Sequence, residues 1–150
     1  EPHALRLTPE NAESLFAPYD LILDGSDNLA TRYAVNDTCA ALGKPLISAA
    51  VQGFEGQLYV FPFQNPEDPC YRCLYPDIPA EAMPDCRTAG VLGALAGIMG
   101  NMQALEAIKW LIGINRSQLF IRYNSLTHHL RAAAMSFALG CPSHPGYKKS

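Results

Sequence analysis

Asp20-Leu21-Ile22-Leu23-Asp24-Gly25-Ser26-Asp27-Asn28 decides how this sequence folds. A short apolar run bounded by polar residues suits a strand buried in a parallel sheet. It ends in Gly25-Ser26-Asp27-Asn28, from which a helix is predicted to run to about Leu42. That helix sets Ala30, Val35, Cys39 and Leu42 on one broad apolar face, and Gly43 stops it. Pro45 to Ala50 reads as the next strand. Strand, helix and strand within about 30 residues make a βαβ unit with a right-handed crossover.

Outward from this unit the signals stay α/β. Thr8-Pro9-Glu10-Asn11 reads as an N-cap followed by Pro at the first helical position, opening a short helix to about Phe16. Gly56 to Phe63 reads as a strand, expected near a sheet edge because Pro62 cannot donate to a ladder. Gln64 to Ala89 is dense in Pro, Asp and Cys and shows neither period; a connection this long is commonly functional. Val91 to Ile112 is the longest predicted helix. Gly93, Gly97 and Gly100 in its first half imply close approach of another backbone, and Leu105, Ile108, Trp110, Leu111 and Ile112 read as core. Leu119–Tyr123 and Leu130–Phe137 are predicted as two final strands joined by a turn at Asn124-Ser125. The expected fold is α/β, a doubly wound Rossmann-like sheet.

Composition narrows the function classes. The 150 residues are 49% apolar and 17% charged, which suits one domain with a sizeable core and argues against disorder or a coiled coil. Eleven Lys and Arg against fourteen Asp and Glu give a net charge of -3, so no basic surplus exists to neutralise a nucleic-acid backbone. The longest apolar run, Ala89 to Gly100, is about 12 residues, short of the roughly 20 that span a bilayer. Five cysteines, an odd number, do not make a complete disulfide framework. With no signal peptide at Glu1 to Asn11, these features point to a protein of a reducing compartment, expected to be cytoplasmic. No Gly-x-Gly-x-x-Gly or Gly-x-x-x-x-Gly-Lys-Ser/Thr loop occurs, and the chain opens without Met; residues 1–150 are therefore expected to be part of a larger domain.

Three constellations carry chemistry. Cys70-Tyr71-Arg72-Cys73 can grip one metal, and Cys141-x-x-His144 offers the second pair that a tetrahedral Zn²⁺ needs. A redox Cys-x-x-Cys is the rival reading, although such motifs usually open a helix. Asp24-Gly25-Ser26-Asp27-Asn28 sits where open α/β sheets place ligands, at the carboxyl end of a parallel strand. A carboxylate there can hold Mg²⁺ against nucleotide phosphates, or Asp27 or Ser26 can simply cap the following helix. Cys86, before a helix N-terminus and beside Arg87, has surroundings that favour a thiolate, though an inert, partly buried thiol fits equally. Cys39 reads as core, and His128 and His129 as surface residues near a turn.

In this order the motifs resemble the ThiF/MoeB/HesA family of ubiquitin-activating-enzyme-like adenylyltransferases. The matching stretches are Leu23 to Asn28 with Thr31-Arg32 and Asn36, then Gly53-Phe54-Glu55-Gly56-Gln57, Cys70 to Leu74, and Cys86 to Gly93. Gly97-Ile98-Met99-Gly100 leading to Gln103-Ala104-Leu105-Glu106-Ala107-Ile108-Lys109 completes the set. The resemblance implies a dimeric α/β domain with a structural zinc. It implies adenylation of the C-terminal glycine carboxylate of a ubiquitin-like sulfur carrier, with ATP and Mg²⁺, for thiamine or molybdopterin synthesis. Asp27 then matches the Mg²⁺-binding aspartate, with Asn28 beside it at the nucleotide. Cys70, Cys73 and Cys141 match zinc ligands, with His144 where the family has Cys. Cys86 matches a crossover-loop cysteine that takes part in sulfur transfer. The motifs around Cys70 and Cys86 look closer to ThiF than to MoeB. Residues 1–150 would be the C-terminal part of the adenylyltransferase domain, the nucleotide-loop half lying upstream. A carrier-docking module without catalysis is the alternative.

Overall fold

A computed structural model of the chain describes residues 1–76, 90–114 and 117–144. Helix α1, Pro9–Phe16, begins as predicted: Pro9 is its first residue and the Thr8 amide donates to Asn11 Oδ1 at 2.9 Å. Strand β1, Ile22–Asp24, leads into helix α2, Leu29–Leu42, which Gly43 ends with a left-handed φ of 61°. Strands β2, Leu46–Gln52, and β3, Glu55–Phe61, form a hairpin whose tight turn Gly53 opens at a φ of 56°. A single turn, α3 (Tyr71–Leu74), precedes the long helix α4, Gly93–Leu111. Strands β4, Leu119–Asn124, and β5, His129–Ala133, complete the order.

The sheet runs β1-β2-β3-β4-β5. Only the β1–β2 pair is parallel, as the βαβ reading requires; the other three pairs are antiparallel, so the sheet is mixed. Helices cover both faces. Side-chain alternation in β2 and β3 divides the core accordingly. Leu46, Tyr59 and Phe61 join Val35 and Cys39 of α2 on one side. Ile47, Ala49, Leu58 and Val60 meet Leu95, Met99, Ala107 and Trp110 of α4 on the other.

Three expectations are corrected. Strand β3 is the middle strand, not an edge, because Pro62 falls one residue past its end and costs the ladder nothing. Among the described residues, Gly93, Gly97 and Gly100 have no close neighbour: a Cβ at any of them would meet nothing within 4 Å. The close approach is at Gly56, where a Cβ would lie 2.6 Å from Cγ of the buried Met99. Gly56→Ala is therefore expected to cost about 1–3 kcal/mol, read as a lower denaturant midpoint. An unchanged midpoint would mean that Met99 has room to move. Finally, Trp110 is core, but Leu105, Ile108, Leu111 and Ile112 are 56–63% exposed, because α4 turns only one side to β2 and β3. Those exposed apolar side chains leave α4 with a second apolar face uncovered by the described residues of the single chain.

Candidate functional site

A cleft of about 1160 Å³ opens at the carboxyl ends of β1 and β2, where the βαβ unit predicts a ligand site. Gly25 to Ala30 form one wall, Ala49 to Gln52 the floor, and Met99, Gly100 and Gln103 of α4 the opposite wall. Tyr71 and Tyr75 close one end.

The wall from β1 is fixed by a buried polar network. The Asp24 carboxylate is 5% exposed and accepts from the Ser26 amide and the Ser48 hydroxyl, each at 2.9 Å. Arg32 lies 3.9 Å from that carboxylate and donates to the carbonyls of Ser26 and Ala49. A buried carboxylate and guanidinium are tolerable only when paired and hydrogen-bonded, which these are. The helix cap falls to Asn28, whose Oδ1 accepts from the Thr31 amide at 2.9 Å. Asp27 is therefore neither cap nor core: it is exposed at the cleft, with the side-chain Nδ2 of Asn28 3.5 Å from its Oδ1.

The second assembly lies behind the aromatic end. Cys70, Cys73, Cys141 and His144 come together with all four donor atoms within 4.8 Å of one another. Cys70 Sγ is 3.7 Å from Cys73 Sγ and 3.5 Å from Cys141 Sγ, and Cys73 Sγ is 3.2 Å from His144 Nε2. Tetrahedral Zn–S arms of about 2.3 Å would set sulfurs about 3.8 Å apart, so this donor set fits one zinc ion. His144 Nδ1 lies 3.2 Å from the Pro66 carbonyl. With its proton donated there, Nε2 is left as the ligand atom, the usual outer-shell arrangement of a zinc histidine. Burial, opposed by the Pro66 bond and Asp68, holds this imidazole's pKa below its ordinary value and favours the neutral form that ligates. Burial also pushes the Cys70 thiol up to about 12, so a metal-free cluster keeps its protons and a cation is what would ionise it. Cys70 does cap the one-turn helix α3, as a redox pair would, but the turn ends at Leu74.

Helix α2 holds this cluster to the fold. Asn36, fully buried, accepts the Tyr71 amide at 2.7 Å and donates to Asp37 and to Ser143. Asp37 accepts from Arg72 Nε at 2.9 and 3.1 Å and from Nη2 at 2.8 Å, and from the Ser143 hydroxyl at 2.6 Å. Burial works to raise the Asp37 pKa, yet the bonds from Arg72, Ser143 and Asn36 prevail and hold it low. The Arg72 guanidinium also sits 4.1 Å from the centre of the Tyr33 ring. Tyr71 and Tyr75 flank Cys73, and the Tyr75 hydroxyl meets that of Tyr59 at 2.8 Å, so the cluster braces a wall of the cleft.

Of the expected site residues, the fold brings Asp27 and Asn28 to the cleft and unites the four cluster ligands. Cys86, with Arg87, lies outside the described residues. Cys39 is core, with no exposure, and His128 is a turn residue, 2.8 Å from the Tyr123 hydroxyl. Sequence reasoning gave no role to Arg32, Asn36, Asp37, Arg72 or Gln103. Arg32, Asn36, Arg72 and Gln103 do stand in the family-matching stretches, whereas Asp37 carries no signal of its own.

Cleft, polar network and cysteine–histidine cluster together define an α/β domain with an open cleft and a donor set fit for a metal. The chain belongs to the ThiF family, which residues 1–143 match. It is 43% identical to the sulfur carrier protein adenylyltransferase of Thermus thermophilus, an alignment covering 95% of this chain and 55% of that protein. It is 48% identical over 113 residues to the adenylyltransferase and sulfurtransferase MOCS3 of Anopheles gambiae, covering 75% of this chain and 25% of that protein. The chain thus spans about half or less of these relatives. Among solved structures, E. coli MccB with ATP superposes at a TM-score of 0.70 over 94% of this chain and 44% of that one; at 14% identity this shows the fold alone. Among the described residues no helix is long and apolar enough to cross a membrane.

Proposed function

We propose that this chain is the C-terminal part of an ATP-dependent adenylyltransferase that activates the C-terminal glycine of a ubiquitin-like sulfur carrier. The observation that carries the reading is Asp27, a carboxylate exposed at the mouth of β1 while Asn28 takes the helix cap. In this reading the carrier carboxylate attacks the α-phosphorus of ATP, a carboxyl–phosphate bond forms, and pyrophosphate leaves. Mg²⁺, when bound, supplies charge screening for the triphosphate. Asp27 holds it, and Asn28 orients Asp27. Zinc at Cys70, Cys73, Cys141 and His144 is structural, fixing the root of the segment that follows Tyr75. The exposed face of α4 supports assembly as a homodimer, and free thiols gathered as metal ligands suit a cytoplasmic setting. The carrier would serve thiamine or molybdopterin synthesis.

Exchange of labelled pyrophosphate into ATP, measured on the full-length protein with and without a carrier ending in glycine, tests this. Exchange that needs both ATP and carrier is the expected result. Carrier binding without exchange would leave a docking module instead. Cys86, proposed as the sulfur-transfer thiol, is expected to be dispensable for exchange: Cys86→Ala should keep it while slowing sulfur delivery to the carrier. Equal delivery by the variant would make the thiol a bystander.

A further inference from the structure

Gln103 projects from α4 into the junction of the two parallel strands. Its Nε2 donates to the carbonyl oxygen of Asp24 at 2.9 Å and to that of Ile47 at 2.8 Å. Two acceptors face one nitrogen, so both amide hydrogens are committed and the orientation of the side-chain amide is fixed. The first carbonyl belongs to the last residue of β1, three positions before Asp27. The carboxylate of that same residue is engaged by Ser26 and Ser48. Asp24 is thereby pinned at its backbone from α4 and at its side chain from β2, and residues 25–28 leave it from a fixed start. Gln103 also lines the cleft, one turn beyond Met99 and Gly100.

We infer that Gln103 is a positioning residue: through the Asp24 carbonyl it sets the loop that presents Asp27 to the cleft. The inference rests on the adenylyltransferase reading for its kinetic consequence, but not for its structural one. Glutamate at this position would keep the shape and lose both donors, setting a carboxylate against two carbonyl oxygens. Methionine would lose the donors without adding charge. Either change removes the α4 donor from two carbonyls of paired strand residues, and one of those residues anchors the loop.

Both variants are tested in the full-length protein. With either, the Mg²⁺ concentration that half-saturates carrier-dependent exchange is expected to rise about tenfold, with the rate at saturating Mg²⁺ within about threefold of wild type. Amide hydrogen exchange at Gly25, Ser26 and Asp27 should quicken by about tenfold or more, while the β3 amides of Leu58 to Val60 keep their protection. An unchanged Mg²⁺ requirement with unchanged loop protection would overturn the inference. So would quickening spread evenly into β3, because that is a general loss of stability. If the wild-type protein exchanges no pyrophosphate at all, the adenylyltransferase reading fails, and the hydrogen-exchange comparison alone still decides what Gln103 does.

Discussion

Asp27→Ala is expected to lower carrier-dependent ATP–pyrophosphate exchange by roughly two to three orders of magnitude, the usual loss when one electrostatic stabiliser of a transition state is removed. The size of the effect follows from where the charge stands. The cleft wall around it is already neutralised internally: Asp24 is committed to Ser26, Ser48 and Arg32, and Asn28 to the α2 terminus. Among the described residues, Asp27 is the carboxylate on that wall with no ion pair to a cation. The fold should be indifferent to its loss. Asp27 is exposed, and a surface substitution that touches no cap or core usually stays within about 0.5 kcal/mol. Thermal unfolding measured alongside the exchange assay separates the two effects. Full exchange activity in the variant would sink the metal role; lost activity with a lowered melting point would leave it unsupported.

The second large effect is expected at the cysteine–histidine clamp. Purified protein should carry one zinc per chain, and Cys141→Ser or a strong chelator should remove it. The expected destabilisation is about 4 kcal/mol, the linkage expected for an ion at a thousand times its dissociation constant. Metal analysis and thermal unfolding with and without chelator measure it. The loss should reach beyond the ligands. Ser143 and Tyr71, neighbours of ligands in sequence, are hydrogen-bonded to Asp37 and Asn36 of α2, so releasing the clamp loosens the attachment of the tail and of the tyrosine wall together. Protein purified without metal and insensitive to chelator would refute the zinc assignment; catalysis of disulfide reduction by such protein would favour the dithiol alternative.

The βαβ unit was legible because its signals are local: a short apolar run, a helix of the right length, a glycine at the turn. The four clamp ligands were legible because their spacing repeats at two distant places. What the sequence hid was set by tertiary partners. Pro62 looked like an edge marker, and only the register of β3 shows that it falls outside the ladder. Leu105, Ile108 and Leu111 looked like core, since hydropathy does not say which side of a helix meets the sheet. The glycines of α4 suggested a close contact, whereas the tight contact lies across the sheet at Gly56, a pairing of residues 43 apart in sequence (99 less 56). Gln103 stood in a family-matching stretch but was given no role. Its function depends on two carbonyls, and carbonyls leave no mark in a sequence.

The clamp also bears on the order in which the molecule assembles. Cys70 and Cys141 are 71 positions apart, and α4, β4 and β5 are all strung between them. Closing so long a span early would be entropically unfavourable, and no complete donor set exists until those elements have packed. An ion held there would thus arrive late and lock a nearly finished architecture rather than seed it. Biosynthesis under zinc limitation would then yield chains that are folded but unlatched.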